Sequence, residues 1–169
     1  MSILNDLIMN TMDLGTKKKV PSIQLSQTIS DWNLQLTNKR EVPISDIVKN
    51  GPLLIIFIRG TWCPFCRMHM NKLRNWVKKL SQTSATIIVV SSEPAEKIRE
   101  WLRTNSFPYL FASDEKSELA DHFGVRIRPN DFSQAATFLI DSNLSVRLAY
   151  TGKRSKKNYV AMEEALKSV

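Results

Sequence analysis

Residues 52–73 read PLLIIFIRGTWCPFCRMHMNKL and contain both cysteines of the 169-residue chain, Cys63 and Cys66. Pro52 to Ile58 is an unbroken apolar run, whereas a strand with one wet face would alternate, so the run predicts a strand covered on both faces. Beyond Cys63 the period changes. Met70, Leu73, Val77 and Leu80 fall three or four apart, which predicts a helix starting at or just after Cys63. The cysteines thus stand at the C-terminal end of a central strand where the chain turns into a helix, the place where open α/β sheets bind and react.

Working outward, ATIIVV (85–90) reads as a second buried strand and EPAEKIREWLRTN (93–105) as a helix opened by a proline. A short strand near PYLFA (108–112) precedes EKSELADHF (115–123), a helix stopped by Gly124. ATFLID and LSVRLAY suit antiparallel strands joined through Asp141 to Asn143, and NYVAMEEALKSV suits a closing helix. Upstream, WNLQLTNKREVPISDIV reads as a strand, a turn at Asn38 and Lys39, and a brief helix after Pro43. This order predicts an α/β sandwich with a mixed central sheet. Ile3, Leu4, Leu7, Ile8 and Met12 predict a short amphipathic helix capping the domain. Trp32, Trp76, Trp101 and Phe123 fall on apolar faces and are expected in the core.

The chain carries 24 basic against 16 acidic residues, a net charge of +8, which favours acidic partners or anionic ligands. The clusters Lys17 to Lys19 and Lys153, Arg154, Lys156, Lys157 lack interleaved aromatics, so they read as solvated charge and no nucleic-acid partner is expected. Pro52 to Ile58 is too short to cross a bilayer, and MSILNDLIMNTMDLG has neither a basic leader nor an unbroken apolar core. A cytoplasmic location with no membrane partner is the expectation. There, close cysteines are more often reactive or metal-binding than a permanent staple.

A thiolate at a helix N-terminus is stabilised by unpaired backbone N–H groups and by the helix dipole. Cys63 is therefore expected to be the low-pKa attacking sulfur and Cys66, one turn in, the less exposed resolving sulfur. Pro64 presets the first helical φ, and Arg59 and Arg67 add nearby positive charge. The spacing lets the sulfurs close a disulfide, so Cys66 can release a mixed disulfide or sulfenic acid formed at Cys63. A zinc site would have to recruit His69 and His122, whose spacing is wrong for a zinc finger; His69 is expected on the helix surface, and no metal or cofactor is expected. Glu93, after the second strand, reads either as a proton relay or, more simply, as a solvated loop acid.

Strand, WCPFCR, then helix resembles the active-site element of thioredoxin-fold proteins, and Pro64-Phe65 is similar to the inner dipeptide of glutaredoxins. KVPSIQL, the block from Ile44 to Leu73, VVSSE and ATFLID resemble, in order and spacing, bacterial redoxins of the AhpC/TSA (peroxiredoxin-like) class. The resemblance implies a thioredoxin-like three-layer sandwich over residues 15–169, with 1–14 as a helical extension, and Trp62 beside the sulfurs as a shield and substrate platform. It also implies a disulfide-containing protein or a small thiol or peroxide as substrate, an external thiol reductant, and a homodimer as in many relatives. Two family features are missing. The Pro and Thr/Ser columns before the reactive cysteine hold Ile56 and Gly60, and the column carrying an Arg or a cis-proline holds Ala135. Thr61 is the nearby hydroxyl, and Arg126 or Arg128 the nearby cation, that stand to replace them. Three functions follow: a thiol–disulfide oxidoreductase, favoured because a bare thiolate lacks help for a leaving oxygen; a thiol peroxidase; or a non-enzymatic redox-sensing or binding module.

Overall fold

The computed structural model describes residues 23–80, 83–152 and 154–169. The expected N-terminal helix and the extension 1–14 lie outside the described residues. Strands β1 (Asn33–Leu36), β2 (Glu41–Pro43), β3 (Leu53–Ile58), β4 (Thr86–Ser91), β5 (Leu110–Ser113), β8 (Ala136–Ile140) and β9 (Val146–Thr151) form one sheet in the order β2-β1-β5-β4-β3-β8-β9. β3, β4 and β5 run parallel, while β1, β8 and β9 pair antiparallel to their neighbours, so the sheet is mixed as expected. A separate hairpin of β6 (Arg126–Ile127) and β7 (Phe132–Ser133) was not foreseen, because two-residue strands carry no readable period.

All six residues of β3 are buried, as the unbroken apolar run requires. Alternation divides them between two cores. Leu53, Ile55 and Phe57 pack in the core that receives α1 (Ile44–Val48) and α4 (Glu118–His122). Leu54, Ile56 and Ile58 face the core that receives α2 (Pro64–Val77), α3 (Ala95–Leu102) and α5 (Lys156–Lys167), giving the three layers of a thioredoxin-like sandwich. The helix over residues 64–77 ends one turn before Leu80. Gly124 adopts φ 69° just past α4, a left-handed conformation in which a side chain would be strained, and so stops that helix as expected.

Arg154 is a correction. Placed by composition in a solvated basic cluster, it is only 4 % exposed. Its guanidinium donates to the carbonyls of Phe57 at 2.8 Å and Ala136 at 3.0 Å and to the Thr137 hydroxyl at 3.3 Å, tying the entry of α5 to the ends of β3 and β8. Local composition suggested solvent; position at the sheet's end decides burial.

Candidate active site

Cys63 is the N-cap of α2, with extended backbone (φ −78°, ψ 119°), and Pro64 is the first helical residue. The Cys63 N–H closes a turn onto the Gly60 carbonyl at 3.2 Å, and the Cys63 carbonyl accepts the Arg67 N–H at 3.0 Å. On α2 the buried stripe is Cys66, His69, Met70 and Leu73, spaced i, i+3, i+4 and i+7. Cys66 is the first member of that stripe, which turns its sulfur inward beneath Cys63. His69, expected on the surface, belongs to the same stripe and is buried.

Both cysteines are reduced and both are buried, Cys63 at 4 % and Cys66 at 6 % exposure, so accessibility does not separate them as expected. Protonation does. The Cys66 thiol donates to Cys63, and this, with the N–H groups of Cys66 and Phe65 and the positive charge of Arg59, draws Cys63 down from 9.0 to about 6 against the opposing effect of burial. The same hydrogen bond, together with burial and repulsion from the Cys63 charge, pushes Cys66 well above the ordinary thiol range. The pair is a thiolate held by a neighbouring thiol.

Around it, Trp62 is 55 % exposed and meets Phe132 edge-on, ring centroids 6.2 Å apart. The Arg59 guanidinium lies 6.0 Å from the centre of the same Phe132 ring. Ser133, next along β7, anchors this hairpin by donating its buried hydroxyl to the Ile58 carbonyl at 2.9 Å. Gly60 has a local reason: a Cβ there would stand 2.2 Å from Nε1 of Trp62, so the indole folds across the position at which the family pattern has a hydroxyl. Thr61 does not supply that hydroxyl to the sulfur. It donates to Oε1 of Glu93 at 2.9 Å.

The structure thus gathers Arg59, Thr61, Trp62, Cys63, Pro64 and Cys66 at one strand-to-helix turn. Arg126, expected to reach the pocket, is held in ion pairs instead. Its guanidinium is bound to Asp121 at 2.7 Å and to Asp131, and Arg128 is bound to Asp121 at 2.9 Å. The charge pattern carried the signal, since Asp121 and Asp131 each lie five residues from Arg126. Sequence reasoning also missed Phe132 and the role of Glu93, whose half-buried carboxylate accepts from the Thr61 N–H at 2.6 Å and the Ser91 hydroxyl at 2.7 Å. Register would have found it: Ile58 and Ser91 are partners at the ends of β3 and β4, so the residues that follow them converge. Among the described residues no three His, Cys, Asp or Glu side chains converge as metal ligands, and no helix is long and apolar enough to cross a membrane.

A dithiol at the turn between a central strand and a helix, in a three-layer sandwich with a mixed sheet, defines a thioredoxin-fold redoxin. The chain belongs to the AhpC/TSA family, whose pattern matches residues 25–149, and it is a thiol-dependent oxidoreductase. It is 26% identical over 144 residues to the thiol:disulfide interchange protein DsbE of Vibrio cholerae, covering 83% of this chain and 72% of that protein. It is 23% identical over 147 residues to the thiol-disulfide oxidoreductase ResA of Geobacillus thermodenitrificans, covering 86% and 80%. Its fold is similar to the crystal structure of peroxidoxin BcpB from Mycobacterium tuberculosis, with a TM-score of 0.77 and 20% identity over 87% of this chain and 98% of that one.

Proposed function

We propose that this protein is a thiol–disulfide oxidoreductase. The Cys63 thiolate attacks a substrate disulfide; a Cys63–substrate bond forms as the substrate's S–S bond breaks, and the departing thiolate takes a proton from water. Cys66 then loses its proton and attacks Cys63, releasing the second substrate thiol and leaving the Cys63–Cys66 disulfide. The substrate gains two electrons, and an external thiol reductant restores the dithiol.

The observation that carries this reading is the disposition of the helpers a peroxide would need. The Trp62 ring covers the Gly60 position, the Thr61 hydroxyl is bonded to Glu93, and Arg126 is bonded to two carboxylates. Each is thereby kept from a leaving oxygen, whereas a disulfide's departing sulfur needs little such help. Relatives named as a thiol:disulfide interchange protein and a thiol-disulfide oxidoreductase lend support. The half-exposed Trp62 beside Phe132 and Arg59 suits contact with a polypeptide.

Rapid mixing of the reduced protein with a protein disulfide and, separately, with hydrogen peroxide tests the reading, with tryptophan fluorescence reporting oxidation beside Trp62. Oxidation by the disulfide, abolished in Cys63→Ser, is the expected result. Sulfenic acid formation on the order of 1000-fold faster than for a free thiolate, the scale of one oxyanion-stabilising group, would make the protein a peroxidase instead.

A further inference from the structure

We propose that Glu93 is the positioning residue of the dithiol, its carboxylate fixing the turn from Gly60 to Cys63 so that the Cys63 sulfur sits against the donors of the first turn of α2. The proposal rests on the dithiol reading above and adds what holds it in place.

Without Glu93 the turn would be poorly held. Gly60 brings the largest backbone freedom of any residue, Trp62 is exposed, and the backbone hydrogen bond within the turn, Cys63 N–H to the Gly60 carbonyl, is 3.2 Å long. Thr61 is buried, and its peptide is gripped on both sides. Its N–H and hydroxyl donate to the two oxygens of Glu93, at 2.6 Å and 2.9 Å, and its carbonyl accepts from Nε of Arg67 on α2 at 2.5 Å. Bonds of this kind, with one ionised partner, are about twice as strong as neutral ones.

Glu93 is in turn fixed to the sheet. The Ser91 hydroxyl at the end of β4 donates to its carboxylate at 2.7 Å, and the Ser113 hydroxyl at the end of β5 donates to its backbone carbonyl at 2.7 Å. The chain of contacts therefore runs from two parallel strands through one carboxylate to the residue two places before the sulfur. The donors that act on Cys63 belong to α2: the N–H groups of Phe65 and Cys66 and the Cys66 thiol. Arg59 is the cation that acts on it. A turn released from the sheet would carry the sulfur away from donors that stay with the helix.

The sign of the effect separates this role from two simpler ones. A carboxylate acting only through its charge disfavours the nearby thiolate, so its removal would make Cys63 more acidic. A carboxylate that only stabilises the fold would lower the melting temperature and leave the thiol unchanged. A positioning carboxylate makes Cys63 less acidic when removed.

The experiment follows iodoacetamide alkylation of the reduced full-length protein across pH, which requires no turnover and so stands or falls independently of the substrate. In Glu93→Ala the midpoint for Cys63 is expected to rise by about one pH unit or more, a roughly tenfold loss of thiolate on the acid side. Thr61→Val, which removes one donor without changing any charge, should move it the same way, and Thr61→Ser should restore the wild-type profile. A midpoint in Glu93→Ala that falls or stays in place overturns the proposal. If Glu93→Ala does not fold, Thr61→Val decides: an unchanged midpoint in that folded variant also overturns it.

Discussion

Removing the Cys66 sulfur should cost Cys63 its acidity. The hydrogen bond from the Cys66 thiol is the largest of the influences that draw Cys63 from 9.0 down to about 6. At pH 7 that difference means about nine-tenths thiolate instead of about one-hundredth. A hydrogen bond to a charged group contributes about 1.5–3 kcal/mol, which corresponds to about one to two pH units. Cys66→Ala should therefore raise the Cys63 midpoint by that amount. Measured at pH 6, where the wild type is about half ionised, the alkylation rate should fall about 5- to 50-fold. Cys66→Ser is the matched control: it also prevents the disulfide but keeps a hydroxyl donor at the same place, so its midpoint should stay much nearer the wild type. The assay is the rate of iodoacetamide addition to reduced protein from pH 4 to 10, with the thiolate absorbance in the ultraviolet as a second readout. A Cys66→Ala midpoint that remains near 6 would refute the reasoning, because it would assign the effect to the helix N–H groups and Arg59, and the two cysteines would no longer control one another.

Two further outcomes follow from the same structure. Because the Cys63 thiol titrates near 6 when folded and near 9.0 when unfolded, the folded reduced protein holds fewer protons between those values. Its stability should rise with pH across that window and be lost as pH falls through about 6, by about 1 kcal/mol between pH 6 and 7 before solvent screening reduces it. Below about pH 8, where Cys66 keeps its proton folded or unfolded, the difference in urea midpoint between reduced wild type and Cys63→Ser isolates this term, and a difference independent of pH there would refute it. Arg154→Met should destabilise the fold by about 2–4 kcal/mol in chemical denaturation, since it strips donors from the buried carbonyls of Phe57 and Ala136; a loss below about 0.5 kcal/mol would mean that those carbonyls find other partners.

How much of this was legible in the sequence depended on the range of the interaction. β3 and α2 were legible because their signals are local periods, six apolar residues in a row and then a helical stripe. The hairpin of β8 and β9 was legible for the same reason, with Asp141 in its turn. β2 was not, since three residues ending in Pro43 carry no period and pair only because β1 lies beside them. Arg154 and Glu93 were misread for a common cause: their neighbours in sequence are polar, yet both sit at the ends of central strands, where carbonyls and turn N–H groups need partners. For His69 residue type and spacing disagree: a polar ring suggests the surface, but its position lies on the stripe through Cys66 and Leu73, and spacing decides its burial.

In the disulfide exchange proposed above, the mutual hydrogen bond also sets the order of events. Two of the three influences that raise Cys66 come from Cys63, as its hydrogen-bond acceptor and as a negative charge; the third is burial. While Cys63 is a thiolate, Cys66 therefore keeps its proton and cannot compete for the incoming disulfide. Once Cys63 is consumed in a mixed disulfide, both influences vanish together. Burial then opposes ionisation alone, against the backbone N–H groups of Arg59 and Gly60 that favour it. Cys66 becomes a nucleophile at the moment its target appears, already seated on the inner stripe of α2 beside the bond it must break. The first step thus removes two of the three influences that held the proton. A pair built this way attacks with one sulfur and resolves with the other in a fixed order, and the order is set by which cysteine caps the helix and which one faces the core.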